Sequence, residues 1–480
     1  MFDDLADAGV LDVMASASRD ESAACARRLA AIGELYARRA PDDDVERTNW
    51  AIDGHTSLVA EIAAELNISR GRAAGQLDFA IPLRERLPKV AAVFGSGAID
   101  YRMMAALVKR SDIVDDEDAL ARLDAAFAKW APAWMRMSGP KLTERIDMWV
   151  EKFDPAGVRE PRFPREDRCV EFGPVNRAGL AGIWGSLPVT DAVVVDDRLD
   201  AVAATVCRND SRTVRQRRAD ALVAMAAGQD RLECGCGDPQ CPAAGIAAKP
   251  WGEVVIHLLA EQAAVDGHSE NPGYLSGFGP VPAPLLRELA ATAKLKPLPL
   301  PPPVAEPSYR PSTALAEFVR CRDLTCRFPG CTAPAEVCDI DHTIAYPVGS
   351  THPSNLKLLC RFHHLLKTFW TGVGGWADRQ LPDGTVIWTS PSGRIYTTKP
   401  GGSLFFPALA TPTGQIVVAE SAGESSVHRG LMMPTRRRTR AQDRAYRIAR
   451  ERAPNEVRVF LERKQEFRAW LHTKHEPPPF

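Results

Sequence analysis

The stretch Cys326-Arg-Phe-Pro-Gly-Cys331, completed further along by Cys360-Arg-Phe-His363, decides the fold of the C-terminal part of the chain. Each half is a short chelating pair that can place two soft ligands on one side of a turn or on one face of a helix. Structural zinc is held tetrahedrally by such Cys and His side chains. We therefore predict one zinc site formed by Cys326, Cys331, Cys360 and His363, with Cys321 and Cys338 as nearby substitute ligands.

Four further polar residues in this stretch are not needed by zinc: Asp341, His342, Asn355 and His364. Hydrolysis of a phosphodiester needs a general base and a divalent cation, and an imidazole with a pKa near ~6.5 accepts a proton at neutral pH. His342 is therefore a candidate base. Neighbouring residues of a strand face opposite sides, so Asp341 and His342 cannot both point into one cleft without a local twist.

The order Asp-His, Asn, His resembles the HNH endonuclease motif of the ββα-metal fold, in its zinc-clamped branch. The usual second zinc pair of that branch is Cys-x2-Cys followed directly by His, whereas His363 stands here in place of the second Cys. The resemblance implies a β-hairpin that carries the Asp-His pair and a helix that carries the last His. It also implies that Asp341 and His364 hold a catalytic Mg²⁺ or Mn²⁺, that His342 is the base, and that Asn355 holds the loop that positions His342.

Segments outside this motif, Leu66-Asn-Ile-Ser69, Arg86-Leu-Pro88 and Gly277-Phe-Gly-Pro-Val-Pro282, resemble the 13E12 repeat family. Members of that family join an N-terminal domain of unknown function (domain of unknown function 222) to a C-terminal HNH module. The resemblance implies a metal-dependent endonuclease that hydrolyses phosphodiester bonds of DNA, with RNA left open as a substrate. The alternative is a catalytically inactive, zinc-stabilised DNA-binding or regulatory protein derived from a mobile element.

The fold class predicted from the whole chain is multidomain α+β. It comprises a mostly helical N-terminal domain, a mixed α/β middle module and a C-terminal zinc-stabilised ββα-metal module. The predicted boundaries are 1–160 for the helical domain, 161–295 for the middle module, 296–311 for a proline-rich linker, 312–400 for the nuclease module with a small β-sheet, 401–435 for a flexible segment, and 436–480 for a basic amphipathic helix.

A second cysteine cluster lies in the middle module. Cys234, Cys236 and Cys241 are separated by Gly and Pro, which lets the backbone wrap around an ion, and His257 can supply a fourth ligand. The sequence leaves two interpretations open, a second zinc site or a loop of free thiols. The isolated Cys25, Cys169 and Cys207 are predicted as core residues.

The clustering of the 11 cysteines favours metal binding over disulfides. The chain has no long apolar run and no basic signal segment at its start, so the sequence predicts a soluble, cytoplasmic protein with no membrane partner.

The net charge of −1 hides an asymmetry along the chain. Residues 429–468 contain thirteen Lys or Arg and five Asp or Glu, a net charge of +8. We expect this segment either to dock on the body of the protein or to neutralise DNA phosphates. Further candidates for phosphate contact flank the metal motif: Arg320, Arg322, Arg327 and Lys367. A helix-turn-helix pattern over 61–77 favours either DNA contact or plain packing.

Overall fold

The computed structural model describes residues 2, 4–39, 45–159, 168–176, 178–243, 257–372, 374–416 and 432–474. The protein is a mixed α/β chain that forms two compact units. The first unit joins Met1–Glu160 to Leu298–Phe480, and the second, the middle unit, is Pro161–Pro297. The sequence predicts separate helical and nuclease domains, but the two regions belong to the same unit.

The N-terminal part of the first unit is helical, as predicted. Its helices are α1 (Asp7–Arg39), α2 (Val45–Thr48), α3 (Gly54–Leu66), α4 (Arg70–Glu85), α5 (Pro88–Gly95), α6 (Tyr101–Arg110), α7 (Glu117–Trp134) and α8 (Gly139–Phe153). Asp53, Asp100 and Asp116 each accept a hydrogen bond from a backbone N–H in the first turn, which fixes where α3, α6 and α7 begin. Leu, Phe and Met side chains from these helices form one large buried core.

The C-terminal part of the first unit contains a strand-strand-helix motif followed by a small sheet. Its elements are α13 (Thr313–Asp323), β6 (Cys338–His342), β7 (Leu356–Cys360), α14 (Arg361–Phe369), β8 (Ala377–Gln380), β9 (Val386–Thr389), β10 (Ile395–Thr398) and α15 (Arg440–Lys474). Strands β6 and β7 are antiparallel, with Cys338 opposite Cys360 and Asp341 opposite Lys357. Helix α14 starts directly after β7, so the side chains of Cys360, His363 and His364 lie close to those of strand β6.

Contacts between regions distant in sequence explain why the first unit is continuous. Glu61 of α3 binds both Arg39 and the hydroxyl of Ser392. The α3–α4 pair does form a helix-turn-helix, but the guanidinium of Arg70 lies 4.2 Å from the ring centroid of Phe362 on α14. Arg70, one of the two arginines predicted to contact DNA, therefore contacts another part of the same unit.

The basic helix α15 docks on the helical region. Arg436, just before the helix, and four arginines of the helix pair with carboxylates there: Arg436 and Arg440 with Asp53, Arg444 and Arg447 with Asp112, and Arg452 with Asp154. These five cations are neutralised within the molecule, so the predicted basic patch is smaller than its sequence charge suggests. The helix begins at Arg440 rather than at residue 436.

Two predicted connecting segments are more ordered than expected. The proline-rich segment is not a plain spacer, because the backbone N–H of Glu306 donates to the carbonyl of Thr351 at 2.9 Å. The predicted flexible segment 401–435 begins with two short 3₁₀ helices, Gly401–Leu404 and Pro407–Ala410, so that prediction is wrong for these residues. Residues 417–431 lie outside the described part of the chain.

The middle unit consists of small sheets and helices, as an α+β module should. Its elements are β1 (Cys169–Val175), β2 (Ala181–Ser186), α9 (Val189–Ala203), α10 (Val214–Ala226), β3 (Leu258–Leu259), α11 (Gln262–Val265), β4 (Gly273–Leu275), β5 (Gly279–Val281) and α12 (Ala283–Ala290). Strands β1 and β2 form a hairpin, and β3, β4 and β5 form a three-stranded sheet. A strand predicted over 254–259 is described only at Leu258–Leu259, because 254–256 are outside the described residues.

None of the helices in the described ranges combines the length and the apolar character that a membrane crossing needs.

Candidate functional site

The first cysteine cluster converges at the junction of β7 and α14. The ligand atoms of Cys326, Cys331, Cys360 and His363 all lie within 4.8 Å of one another. Nδ1 of His363 is 3.5 Å from Sγ of Cys326 and 3.3 Å from Sγ of Cys360. This set, which excludes Cys321 and Cys338, could hold a zinc ion.

Aromatic packing fixes the imidazole of this cluster. The His363 ring stacks on Phe328 with centroids 3.9 Å apart, and Phe328 contacts Trp388 in the small sheet. Gly330, in the turn between Cys326 and Cys331, has φ +73°, and a Cβ there would approach the Ile68 carbonyl oxygen to 2.9 Å. The turn therefore needs glycine both for its conformation and for its contact with the helical region.

Asp341 is the buried anion of a neighbouring group of polar residues, which we call the cleft: Asp339, Asp341, Lys357, His364, Lys367 and Asp378. Its Oδ2 is 2.7 Å from Nζ of Lys357, and its two oxygens are 3.1 and 3.2 Å from Nζ of Lys367. Lys357 is fully buried and also pairs with Asp378 at 2.6 Å. Burial alone would raise the pKa of Asp341, but the two ammonium groups hold this pKa below its ordinary value. Asp341 is therefore ionised at neutral pH.

His364 faces Asp341 from helix α14. Its Nε2 is 3.5 Å from Oδ1 of Asp341, while its Nδ1 is 2.8 Å from Oδ2 of Asp339. Asp339 and Asp341 lie on the same face of β6 because side chains alternate along a strand. A carboxylate on one ring nitrogen that orients the other nitrogen is the usual support of a metal-binding histidine.

His342 follows Asp341 but points elsewhere, as the alternation of a strand requires. Its Nε2 is 2.9 Å from Oγ1 of Thr351, and its ring stacks on Tyr309 with centroids 5.3 Å apart. Burial lowers the pKa of His342, and the charge of Lys367 lowers it further. The imidazole is therefore neutral, and able to accept a proton, at neutral pH.

Asn355 closes the loop between the two strands. Its Oδ1 accepts from the backbone N–H of Ile344 at 2.8 Å, and its Nδ2 donates to the carbonyls of Ile344 and Ser350. All these partners belong to the loop that follows His342. The side chain is fully buried, so it acts on the loop rather than on a ligand.

The four residues predicted to contact phosphate differ in burial. Arg322 is buried and donates to the carbonyls of Pro353 and Leu356. Arg327 is buried and donates to the carbonyl of Thr398. Both predictions are wrong, because backbone carbonyls and Asp323 use these cations inside the fold. Arg320 is exposed, and Lys367 lies in the cleft.

The second cysteine cluster also converges, with one change of ligand. Sγ atoms of Cys234, Cys236 and Cys241 lie within 4.8 Å of one another and of Cys207. His257, the predicted fourth ligand, is exposed and is not in this group. Cys207, predicted as a core residue, takes its place, because the end of α9 brings it to the loop.

Sequence reasoning missed three charged residues of the cleft. Asp339 carried a signal, since it precedes Asp341 by two positions on the same strand face. Lys357 carried a weaker one, since it lies opposite Asp341 only once the hairpin register is known. Asp378 comes from β8, and nothing local in the sequence ties that strand to the cleft.

The comparisons place the chain in a family. The model of the family described as "Domain of unknown function (DUF222)" matches residues 16–323. The chain belongs to this family. Among the relatives of this chain, uncharacterized protein Rv3776 of Mycobacterium tuberculosis is 47% identical over 479 residues, which cover 94% of this chain and 90% of the relative. Uncharacterized protein Rv2100 of the same organism is 44% identical over 516 residues, covering 99% of this chain and 90% of the relative. No solved structure matches this DUF222 chain.

Proposed function

We propose that the protein is a metal-dependent endonuclease of the HNH type that hydrolyses phosphodiester bonds of DNA. One observation carries the proposal: Asp341 and His364 approach to 3.5 Å on a strand-strand-helix motif whose loop is closed by Asn355. A zinc-stabilised binding module has no need of this carboxylate-imidazole pair. The products would carry 5′-phosphate and 3′-hydroxyl ends, as the resemblance implies.

The donor atoms of Asp341 and His364 fit a divalent cation. Two adjacent ligands of an octahedral Mg²⁺, each about 2.1 Å from the ion, lie roughly 3 Å apart, close to the observed separation. When bound there, the cation would offset charge on the phosphate and on the leaving oxygen. Asp339 orients His364. Asp378 also pairs with Lys357, so the positive charge of Lys357 is shared between Asp341 and Asp378.

The hydrogen bonds of Thr351 support Nδ1 of His342 as the proton acceptor in this proposal. The Thr351 hydroxyl has one proton, and it lies 2.6 Å from the carbonyl oxygen of Ser308, which can only accept. Thr351 therefore donates to Ser308 and accepts from Nε2–H of His342. This tautomer leaves the lone pair on Nδ1, which takes the proton from the attacking water. Thr351 and the segment that carries Ser308 are positioning elements for the base.

Lys367 has two roles in this scheme. Burial and the charge of Lys357 lower the pKa of Lys367, so its ammonium loses a proton more readily than an exposed one. It donates to the backbone carbonyl of His342 at 2.5 Å and contacts Asp341. With a divalent cation bound at Asp341, the Lys367 ammonium would be repelled from that carboxylate and would bind a phosphate oxygen.

A second candidate function is supported by the same lysines. Two ammonium groups already satisfy Asp341, and Tyr309 covers one face of His342. This arrangement is compatible with a catalytically inactive, zinc-stabilised DNA-binding or regulatory protein derived from a mobile element. Binding of DNA that weakens with salt, without cleavage in Mg²⁺ or Mn²⁺, is the outcome that this alternative requires.

The deciding experiment is plasmid nicking by the full chain in Mg²⁺ or Mn²⁺, with matched histidine variants. We expect His342→Ala to lower the cleavage rate by roughly 10² to 10⁴, the usual contribution of a general base. His268→Ala, an exposed histidine of the middle unit, is the control and should cleave like wild type. Equal rates for His342→Ala and wild type would remove His342 as the base.

The role of Thr351 is tested separately. Thr351→Val cannot accept from Nε2–H and should lower kcat with little change in KM, whereas Thr351→Ser should restore the rate. Histidine-selective ¹⁵N NMR reports the tautomer of His342 without any turnover. An Nδ1–H tautomer in the wild-type protein would contradict the assignment of the base atom, whatever the nuclease assay shows.

A further inference from the structure

Four thiols of the middle unit surround a common point. Sγ of Cys234 is 3.5 Å from Sγ of Cys207, and all four sulfurs, including those of Cys236 and Cys241, lie within 4.8 Å of one another. A zinc ion bound tetrahedrally at about 2.3 Å from each sulfur separates the sulfurs by roughly 3.8 Å. The four cysteines are free thiols, with sulfurs well beyond the ~2.05 Å of a disulfide.

Backbone amides already point at these sulfurs. The N–H of Asn209 bonds the Cys207 sulfur, that of Cys236 bonds Cys234, and that of Asp238 bonds Cys236. In each case the donor follows its thiol by two residues, the arrangement of a tight turn around a metal ligand. Such donors offset the charge of thiolates, which are the forms that bind metal.

Side-chain contacts hold the two ligand segments together next to the cluster. Oδ2 of Asp210 accepts from the backbone N–H of Gly235 at 2.7 Å. Arg212 pairs with Asp210 and donates to the carbonyl of Glu233 at 2.7 Å. The backbone N–H of Leu232 donates to the hydroxyl of Thr205 at 2.9 Å. The loop is therefore fastened on both sides of the thiols.

We propose that Cys207, Cys234, Cys236 and Cys241 bind a structural zinc ion that fixes the loop 232–243 to the end of helix α9. All four coordination positions are protein sulfurs, so the site is closed and has no open position for substrate. The inference does not depend on the proposed nuclease activity, because none of these residues belongs to the cleft.

Such an ion accounts for the small hydrophobic cluster around the site. The buried side chains there are mostly small: Val202, Ala203, Val206, Ala221, Ala224, Leu232, Cys234, Cys241 and Ala243. A core of this size supplies little hydrophobic free energy, and small folds of this kind are commonly stabilised by a metal. The zinc ion thus replaces apolar contacts that this part of the chain lacks.

The test uses wild-type protein first. Zinc content of the full chain, purified with excess Mg²⁺, should be two ions per chain. X-ray absorption at the zinc edge should give seven sulfurs and one nitrogen over the two ions, from Cys207, Cys234, Cys236 and Cys241 together with the first cluster. One zinc per chain would overturn the proposal. Six sulfurs and two nitrogens would overturn the role of Cys207 and return the fourth position to His257.

Variants then locate the ion. Cys207→Ser should lose one zinc per chain and expose the loop 232–243 to amide hydrogen exchange. His257→Ala and the exposed-cysteine control Cys169→Ser should retain both ions. Retention of two ions by Cys207→Ser would overturn the proposal. If Cys207→Ser does not fold, the wild-type stoichiometry and sulfur count still decide.

Discussion

The two units of the protein use cysteine clusters in different surroundings. In the first unit the cluster is packed against Phe328 and lies beside the ionised cleft around Asp341. In the middle unit the cluster is surrounded by small side chains and backbone donors, with no comparable set of buried carboxylate, imidazole and ammonium groups among the described residues. A thiol cluster alone indicates a metal site, and the buried charged groups beside it distinguish the first cluster from the second.

The units also differ in how much core supports each cluster. The first unit has a large helical core that is independent of zinc, whereas the middle unit has a strand pair, β1 and β2, that is exposed along most of its length. We therefore expect loss of zinc to have local consequences in the first unit and unit-wide consequences in the middle unit. The following predictions test or sharpen this contrast.

The largest effect is expected from Cys360→Ser. Structural zinc contributes roughly 10–16 kcal/mol of apparent binding free energy in zinc-finger peptides, so loss of one ligand should release the ion and unfold the strand-strand-helix motif. Amide exchange should rise across residues 326–372, while α5 to α8 stay protected by their own core. Cys169→Ser is the control. Unchanged exchange at β6 and β7 would show that zinc does not hold the hairpin.

A smaller loss of stability is expected from Lys357→Met. This change leaves Asp341 and Asp378 facing each other in a buried site, and removal of one partner of a buried ion pair costs about 3–5 kcal/mol. Chemical denaturation measures the free energy of unfolding. Arg379→Met, at an exposed neighbouring position, should change it by less than about 0.5 kcal/mol. Equal stability of the two variants would contradict the buried triad.

Lys367→Met should tighten divalent-cation binding in the cleft. Its ammonium contacts both oxygens of Asp341, so its removal lessens the repulsion of an incoming cation. We expect about a tenfold lower Kd for Mn²⁺, or about 1.4 kcal/mol, measured by isothermal titration. Lys399→Met, an exposed lysine, serves as the matched control. A Kd that does not change, or that rises, would place the cation elsewhere than at Asp341.

An effect of similar size is expected from pH, through His55 of the first unit. Burial, together with Arg440, lowers the pKa of His55 to about 4. The unfolded chain therefore binds this proton more readily, so the stabilisation is fully present above pH ~6.5 and is lost as the pH falls toward 4. From pH 7 to pH 5 the wild type should lose about 1–2 kcal/mol more than His55→Gln, after allowance for partial exposure. Parallel pH profiles in urea denaturation would refute this.

Site residues that are close together in the sequence were predicted better than those that are far apart in it. The family resemblance implied the strand, loop and helix positions around Asp341 and His364, and these elements are consecutive in the chain. Cys207 could not be found in this way, since it precedes Cys234 by 27 positions and belongs to another element. Only the packing of α9 brings it to the loop.

The positive charge of an arginine side chain did not predict whether it is exposed to solvent. Arg322 and Arg327 flank the first cysteine pair, and both resemble phosphate contacts in the sequence. Both side chains are buried instead, and they donate to backbone carbonyls of Pro353, Leu356 and Thr398 that are distant in sequence. The contacts of Glu61 and Arg70 with the C-terminal region could not be predicted either, because they depend on side chains more than 250 residues away along the chain.

The docking of α15 has a consequence for synthesis of the chain. Asp112 finds its arginine partner 332 residues later. At ribosomal rates of roughly 5–20 residues per second, this carboxylate waits on the order of 20 to 60 s for its counter-charge. These carboxylates therefore lack their arginine partners until the segment from Arg436 to Arg452 has been synthesised. A premature stop codon before Arg436 would remove the cations that neutralise Asp53, Asp112 and Asp154, and not merely a tail.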